Sequence, residues 1–432
     1  MKGGIRIGTI FGIPLFIDPS WFLIVAFMTV GYRADYVRIS NDLSWLFGLL
    51  TALLLFGSVL MHELGHSLTA KAQGIEVNSI TLFLFGGVAS IDRESKNPGA
   101  AFRVAIAGPL VSLALGVILT VVTMLLGGQA IFEVLSTIKQ PAIDRLVAEI
   151  GAGRSLIGAM AWNLAQINIV LGIFNLMPGL PLDGGQVVKA IVWKITGDRF
   201  TGIRAAARSG QVLGFLIMFL GIMSLRYGLF VGLLPILLGL FILSSAGGYL
   251  RFIKLQQALM DITAESTMTR DFRIVDADMT LRKFADEFLL MQDKETQPLY
   301  VATSDGRDRG VVVPEDLRRI ENIEWNEQKL QSITKPLKSL DAVELKTKIP
   351  EVIKLLETKE LKYAIVFSQV GSIAGVIDRG DVIRALARRL GWPIAETYIQ
   401  QIKTEGKFPA DFRLMEIIEQ LTDEPKIVPK AS

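Results

Sequence analysis

Cysteine is absent, and histidine occurs twice in 432 residues, as His62 and His66. The first absence excludes disulfide staples, thiol nucleophiles and thiolate metal sites. The second leaves all imidazole chemistry to one pair of side chains and excludes a three-histidine metal site. Charge is scarce in one part of the chain. Of the 45 Lys+Arg and 42 Asp+Glu, residues 1–250 hold 17 and 12, and residues 251–432 hold the remaining 28 and 30. The break near Arg251 marks a domain boundary between a charge-poor part and a charge-rich one. Net charge is only +3, so no nucleic-acid partner is expected. What is abundant is apolar surface: 51% of residues are hydrophobic. That disfavours disorder and a plain soluble enzyme.

Apolar runs long enough to cross a bilayer stand at about 19–32, 44–68, 102–127, 156–178, 209–225 and 228–249. The first is the shortest. The segment from Met1 to Ile17 alternates weakly and reads as short strands at the membrane surface. Six spans put both termini on one side. That side collects 13 basic residues, from Lys2 and Arg6 to Arg251 and Lys254. The other side collects 6, namely Arg33, Arg38, Lys139, Arg145, Arg154 and Arg226. The basic excess predicts a multi-pass protein of the cell membrane, with both termini cytoplasmic. The stretch Ile80 to Ser90, with Phe85-Gly86-Gly87 at its centre, is strand-like but too short to span. It predicts a re-entrant β-hairpin or a membrane-edge strand, tolerated only against protein or a wet cavity.

His62-Glu63-Leu64-Gly65-His66 closes the second apolar run. On a helix, residues four apart share a face, so both imidazoles would point at one spot. Such a pair can hold zinc, with Glu63 as general base and acid. Two structural histidines are the alternative, but ionisable groups in a membrane helix are costly without a function. Catalytic zinc takes three protein ligands and an open position. With no third His and no Cys, the third ligand must be a carboxylate. Asp183 stands out, because Asn175 to Gly185 is an apolar stretch broken by Pro178, Pro181 and three glycines. An unwound membrane segment can point an Asp at a metal. Asp183 could equally cap the helix that follows. Asn163, Gln166 and Asn168 suggest a wet pocket or polar contacts between packed helices.

These motifs resemble the site-2 protease family of intramembrane zinc metalloproteases, in its prokaryotic six-span branch. The resemblance rests on HExxH in an apolar helix, the Phe-Gly-Gly hairpin, Ala107-Gly108-Pro109 and Asn175…Pro178…Pro181-Leu182-Asp183-Gly184-Gly185. It covers roughly residues 1–250. It implies His62, His66 and Asp183 as ligands of one Zn²⁺ per chain and Glu63 as the residue that activates water. It also implies a catalytic role for Asn175, whose carboxamide could stabilise an oxyanion or make an interhelical hydrogen bond. Asn168 is a weaker candidate of the same kind. Gly86 and Gly87 would offer a strand edge to an unwound substrate, or form a simple turn. The substrate implied is a single-span membrane protein, such as an anti-sigma factor.

From about Ala264 a pattern occurs twice: Met268-Thr269 through Gly310-Val313 to Asp316, and Ile333-Thr334 through Gly375-Asp378 to Asp381. Each copy reads as a strand, a helix, two strands around a turn, and a helix starting at an acidic residue. The pair resembles tandem CBS domains, with a first unit at 260–325 and a second at 326–390. Such pairs often bind adenine nucleotides, and Asp316 and Asp381 could hold ribose hydroxyls. Both could equally be helix N-caps. Val313 and Asp378 depart from the family's Ser or Thr three residues earlier. Residues 391–432 carry an amphipathic pattern (Phe412, Leu414, Met415, Ile417, Ile418, Leu421) and a tail. The pattern would pack on the CBS pair or on a second subunit.

The expected protein is therefore an α-helical polytopic membrane protein with about six transmembrane helices and a re-entrant β-hairpin, followed by a soluble α/β tandem CBS domain. Its partners would be the lipid bilayer, a single-span substrate, an adenine nucleotide and, through the CBS domains, a second copy. Two other readings are a CBS-regulated transporter or channel and a non-catalytic zinc scaffold. The first needs ionisable groups along several spans, whereas here they gather at His62–His66 and Asp183. The second would want four closed ligands, and three are visible.

Overall fold

A computed structural model describes residues 4–84, 86–137, 147–148, 150–270, 272–289, 299–409, 414–415 and 417–418. Expectations for Lys2, Phe85, Lys139, Arg145, Phe412, Leu421 and the tail lie outside the described residues. The chain forms two compact units, Met1–Arg251 and Phe252–Ser432.

The first unit opens with strands β1 (Ile5–Ile10) and β2 (Ile13–Ile17), then helices α1 (Ser20–Tyr36) and α2 (Ser44–Lys71). Strands β3 (Val77–Phe83) and β4 (Gly86–Ile91) follow, and then α3 (Pro98–Thr137), α4 (Ala152–Asn175), α5 (Asp183–Thr196), α6 (Arg199–Ser224) and α7 (Leu229–Asp261), whose residues after Arg251 belong to the second unit. Among the described residues, five helices are long and apolar enough to cross a membrane: Ser44–Lys71, Pro98–Leu126, Ala152–Asn175, Arg199–Tyr227 and Val231–Asp261. The first expected span is α1, which has 17 residues.

The surface strands and the expected hairpin turn out to be one sheet of order β1-β2-β3-β4. The join is a parallel pairing of β2 with β3, Leu15 opposite Ile80 and Ile17 opposite Leu82. Parallel neighbours need a crossover, and here α1 and α2 supply it. Strand β2 alternates buried and half-buried residues. Its inner face, Ile13 and Leu15, packs with Ile80 on Leu64 of α2. The sheet thus sits on the very turn of α2 that carries the histidines.

Helix α4 stops at Asn175, and α5 begins at Asp183. Pro178 and Pro181 withhold backbone N–H donors from a continuous helix. The chain between folds back onto the first turn of α5. A Cβ at Gly184 would overlap the carbonyl oxygens of Leu176 and Met177, and one at Gly185 would lie 2.7 Å from the Gly179 oxygen. Only glycine fits this return, which places Asp183 beside α2.

Among its described residues, the second unit holds two sheets. One is β5 (Phe272–Asp276), β6 (Leu299–Ser304), β7 (Arg307–Val312) and β8 (Thr334–Pro336), in that order. The other joins β9 (Ala342–Glu344), β10 (Tyr363–Phe367) and β11 (Ile373–Asp378) in the order β11-β10-β9. The repeats exchange their leading segments. Thr334–Pro336, which opens the second repeat, pairs with β7 of the first. Thr269, which opens the first, pairs with Val376 of the second. Sheet membership therefore crosses the boundary between residues 325 and 326.

The closing helices differ. In the second repeat α8 (Arg379–Leu390) starts from an Asp378 capping box and buries Val382, Ile383, Leu386 and Ala387. In the first repeat the same place holds a six-residue 3₁₀ turn, Pro314–Arg319. The residues aligned with Ile383, Leu386 and Ala387 are Arg318, Glu321 and Asn322, which leaves Leu317 and Ile320 as the apolar contacts of this turn and a narrower face to hold a helix. After α8, helix α9 (Glu396–Glu405) buries Ile399 and Ile402. Leu414, Ile417 and Ile418 are buried as well.

Candidate metal centre

The last turns of α2 hold His62 and His66 on one face, both buried. Their Nε2 atoms lie 3.2 Å apart. Oδ2 of Asp183, from the first turn of α5, lies 3.1 Å from His62 Nε2 and 3.2 Å from His66 Nε2. The triangle is nearly equilateral. Ligands about 2.0 Å from a tetrahedral zinc stand about 3.3 Å from one another, so the spacing fits that ion.

The remaining ring nitrogens decide what the triangle offers. His66 Nδ1 lies 2.7 Å from the Val104 carbonyl oxygen. A carbonyl only accepts, so Nδ1 carries the proton and Nε2 of the neutral ring presents a lone pair. His62 Nδ1 lies 2.9 Å from Ser112 Oγ, a contact that can hold that ring in the same tautomer. Two lone pairs and a carboxylate oxygen then converge on one point, an arrangement that calls for a cation. Among the described residues, His62, His66 and Asp183 are the group able to hold a metal ion in this way.

Glu63 leaves α2 beside β4. A Cβ at Gly87 would stand 2.7 Å from Glu63 Cγ and 3.4 Å from Cδ. The missing side chain is therefore the room in which the glutamate lies. Gly86 adopts φ 132°, a conformation open to glycine. Strand β4 is an edge of its sheet, and the edge passes Glu63. Asn175, the last residue of α4, has Nδ2 3.5 Å from His62 Nε2.

The sequence model of peptidase family M50 matches residues 50–221. A Synechocystis sp. protein named as a zinc metalloprotease is 38% identical over 390 residues, which is 89% of this chain and 96% of its own length. The chain belongs to peptidase family M50. It is a metalloprotease and a multi-pass membrane protein. A solved site-2 protease from Methanocaldococcus jannaschii is 27% identical, covers 57% of this chain and 94% of its own, and superposes with a TM-score of 0.37. The CBS domain of a bacterial CNNM/CorC family Mg²⁺ transporter is 17% identical over 33% of this chain and 84% of its own, with a TM-score of 0.26.

Other expected site residues of the M50 peptidase lie elsewhere. Asn168 is wholly buried, and its Nδ2 donates to Ser58 Oγ at 3.0 Å and to the Leu164 carbonyl at 2.8 Å. It ties α4 to α2. Asp316 pairs with Arg319 at 3.1 Å. The Asp381 side chain is 1% exposed, and its Oδ1 accepts from Lys403 Nζ at 2.7 Å and Arg384 at 3.0 Å. Lys403, on α9, also reaches Asp378 Oδ2 at 2.8 Å. Burial alone would lower the Lys403 ammonium, but the two aspartates hold it above the ordinary lysine range. A cavity of about 350 Å³ opens beside these groups, lined by Thr267, Thr269, Asp381, Arg384 and Arg388 among others.

Sequence reasoning missed Ser112 and the Val104 carbonyl, because a lone serine in an apolar run and a backbone oxygen leave no signal. It also missed Glu94, whose Oε2 accepts from Lys189 Nζ at 2.9 Å and Arg199 Nη2 at 2.7 Å. That carboxylate links the loop after β4 to α5 and α6. Burial would raise it, but Lys189 and Arg199 pull it down to about 2.

Proposed function

We propose that the M50 peptidase is an intramembrane zinc endopeptidase that cleaves single-span membrane proteins. The observation that carries this is the convergence of His62, His66 and Asp183 beside Glu63 and the edge of β4. In this reading the three side chains hold one zinc ion. Zinc supplies a lowered water pKa and a polarised carbonyl. Glu63 takes the proton of the attacking water and returns it to the leaving amine. The Asn175 carboxamide donates to the oxyanion.

The substrate must first present an extended backbone. A peptide bond inside a helix has its N–H and C=O engaged, and unwinding in lipid would leave them unpaired. Pairing with β4 satisfies them, and the small side of Gly86 and Gly87 lets the strand come close. The basic-residue count supports a cytoplasmic location for both termini. The exchanged leading segments of the two repeats support a CBS-type pair; in this reading the pair biases access to the site and takes an adenine nucleotide as its ligand.

The test is cleavage of a reconstituted single-span protein in liposomes. Glu63→Gln should keep its zinc and lose cleavage by about 100-fold or more. Cleavage at the parent rate by that variant would remove Glu63 from the chemistry.

A further inference from the structure

Helix α3 turns three positions toward the histidine pair: Val104, Gly108 and Ser112. They are four residues apart and so share one face. The Val104 carbonyl takes the Nδ1 proton of His66 at 2.7 Å. Ser112, wholly buried, lies 2.9 Å from Nδ1 of His62. Between them, a Cβ at Gly108 would overlap His66 Nε2 and stand 2.7 Å from both Cδ2 and Cε1. The imidazole occupies the space a side chain at 108 would need. Pro109 follows inside α3 and has no N–H for the Ala105 carbonyl, which loosens the backbone ladder at this turn.

We infer that the 104/108/112 face of α3 is a positioning seat for the zinc ligands. The Val104 carbonyl and Ser112 set the tautomer and tilt of the two rings, and Gly108 leaves the space that lets His66 Nε2 reach the metal point. None of the three would touch zinc. Each acts through an imidazole, which is how groups behind a metal ligand tune affinity. The inference rests on His62 and His66 being the ligands.

The test uses the full chain in detergent. Zinc affinity is read by competition with a chromophoric chelator, and ligand geometry by the visible absorption of the Co²⁺-substituted protein. Ser112→Ala should bind zinc about 10- to 100-fold more weakly. Gly108→Ala should lose at least as much and shift the Co²⁺ bands. Gly116→Ala is the packing control: it lies one turn further on α3, where a Cβ would press on Ile169 Cγ1 at 2.6 Å and meet no imidazole. It should keep parental affinity and spectrum. The inference is overturned if folded Ser112→Ala and Gly108→Ala bind zinc as tightly as the parent. It is equally overturned if Gly116→Ala loses zinc to the same degree. Should Gly108→Ala not fold, Ser112→Ala decides alone. Unchanged affinity in His66→Ala would instead place the error in the ligand assignment itself.

Discussion

Oδ2 of Asp183 lies 3.1 Å from Nε2 of His62, although 121 residues separate them. The helix break between Asn175 and Asp183 makes that contact, because it brings the start of α5 back beside α2. Replacing Asp183 by Ala should therefore cost zinc, not the fold. The expected loss of affinity exceeds about 100-fold, beyond what residues behind a ligand contribute. Metal content after dialysis against a chelator checks it. Full retention of zinc would remove Asp183 from the ligand set.

Gly87 gives a different signature. A Cβ there presses on Glu63 Cγ at 2.7 Å and on Val59 at 3.3 Å. Gly87→Ala should retain zinc while kcat falls about 100-fold, the scale expected when a catalytic group is displaced by about 1 Å. Steady-state kinetics with metal analysis on the same sample separates the two. A lost metal with normal kcat per bound zinc would contradict it.

Glu94 answers to pH. Its folded carboxyl sits at about 2, below the ordinary 4.5. A depressed carboxylate stabilises the fold fully above pH 4.5 and loses that contribution as pH falls toward 2. Its side chain is 55% exposed, so screening keeps the contribution to about 1 kcal/mol or less. Glu94→Gln should lower the melting midpoint at pH 7. The gap to the parent should narrow as pH drops from 7 toward 3. A gap that stays constant or widens would show that the ion pairs with Lys189 and Arg199 do not carry the effect.

Lys403 bears on the proposed nucleotide site. Its ammonium occupies both Asp378 and Asp381, the latter being the carboxylate expected to meet a ribose. Lys403→Ala should remove one of the two cations held by Asp381, leaving Arg384, and tighten AMP binding about tenfold, the worth of a charged hydrogen bond. Calorimetry on the purified chain measures it. Equal or weaker binding would contradict this, and no AMP binding by either protein would exclude adenine nucleotide as the ligand.

Legibility in the sequence followed the range of the interactions. The His62–His66 pairing on one face needed only the helical period. Asp183 was marked by the prolines and glycines around it. The sheet reads as two pieces in the sequence because β2 and β3, which join them, are 60 positions apart (Ile17 to Val77) and pair in parallel across two helices. The missing closing helix of the first repeat was visible in principle, since Arg318, Glu321 and Asn322 stand where α8 has Ile383, Leu386 and Ala387. Ser112 and the Val104 carbonyl could not be found, because their meaning depends on which face of α3 meets α2. Nor could Lys403, one of many charges in a solvated part of the chain.

Peptide hydrolysis inside the membrane by this metal centre leaves its mark on the position of the cut bond. The most direct measurement maps the cut bond by mass spectrometry, using a single-span substrate reconstituted with the purified enzyme in sealed liposomes. The expected result is a bond within the apolar span, cut by the parent, not cut by Glu63→Gln, and restored to the chelator-treated parent by zinc. A cut confined to the water-exposed tails, or one made equally fast by Glu63→Gln, would contradict it.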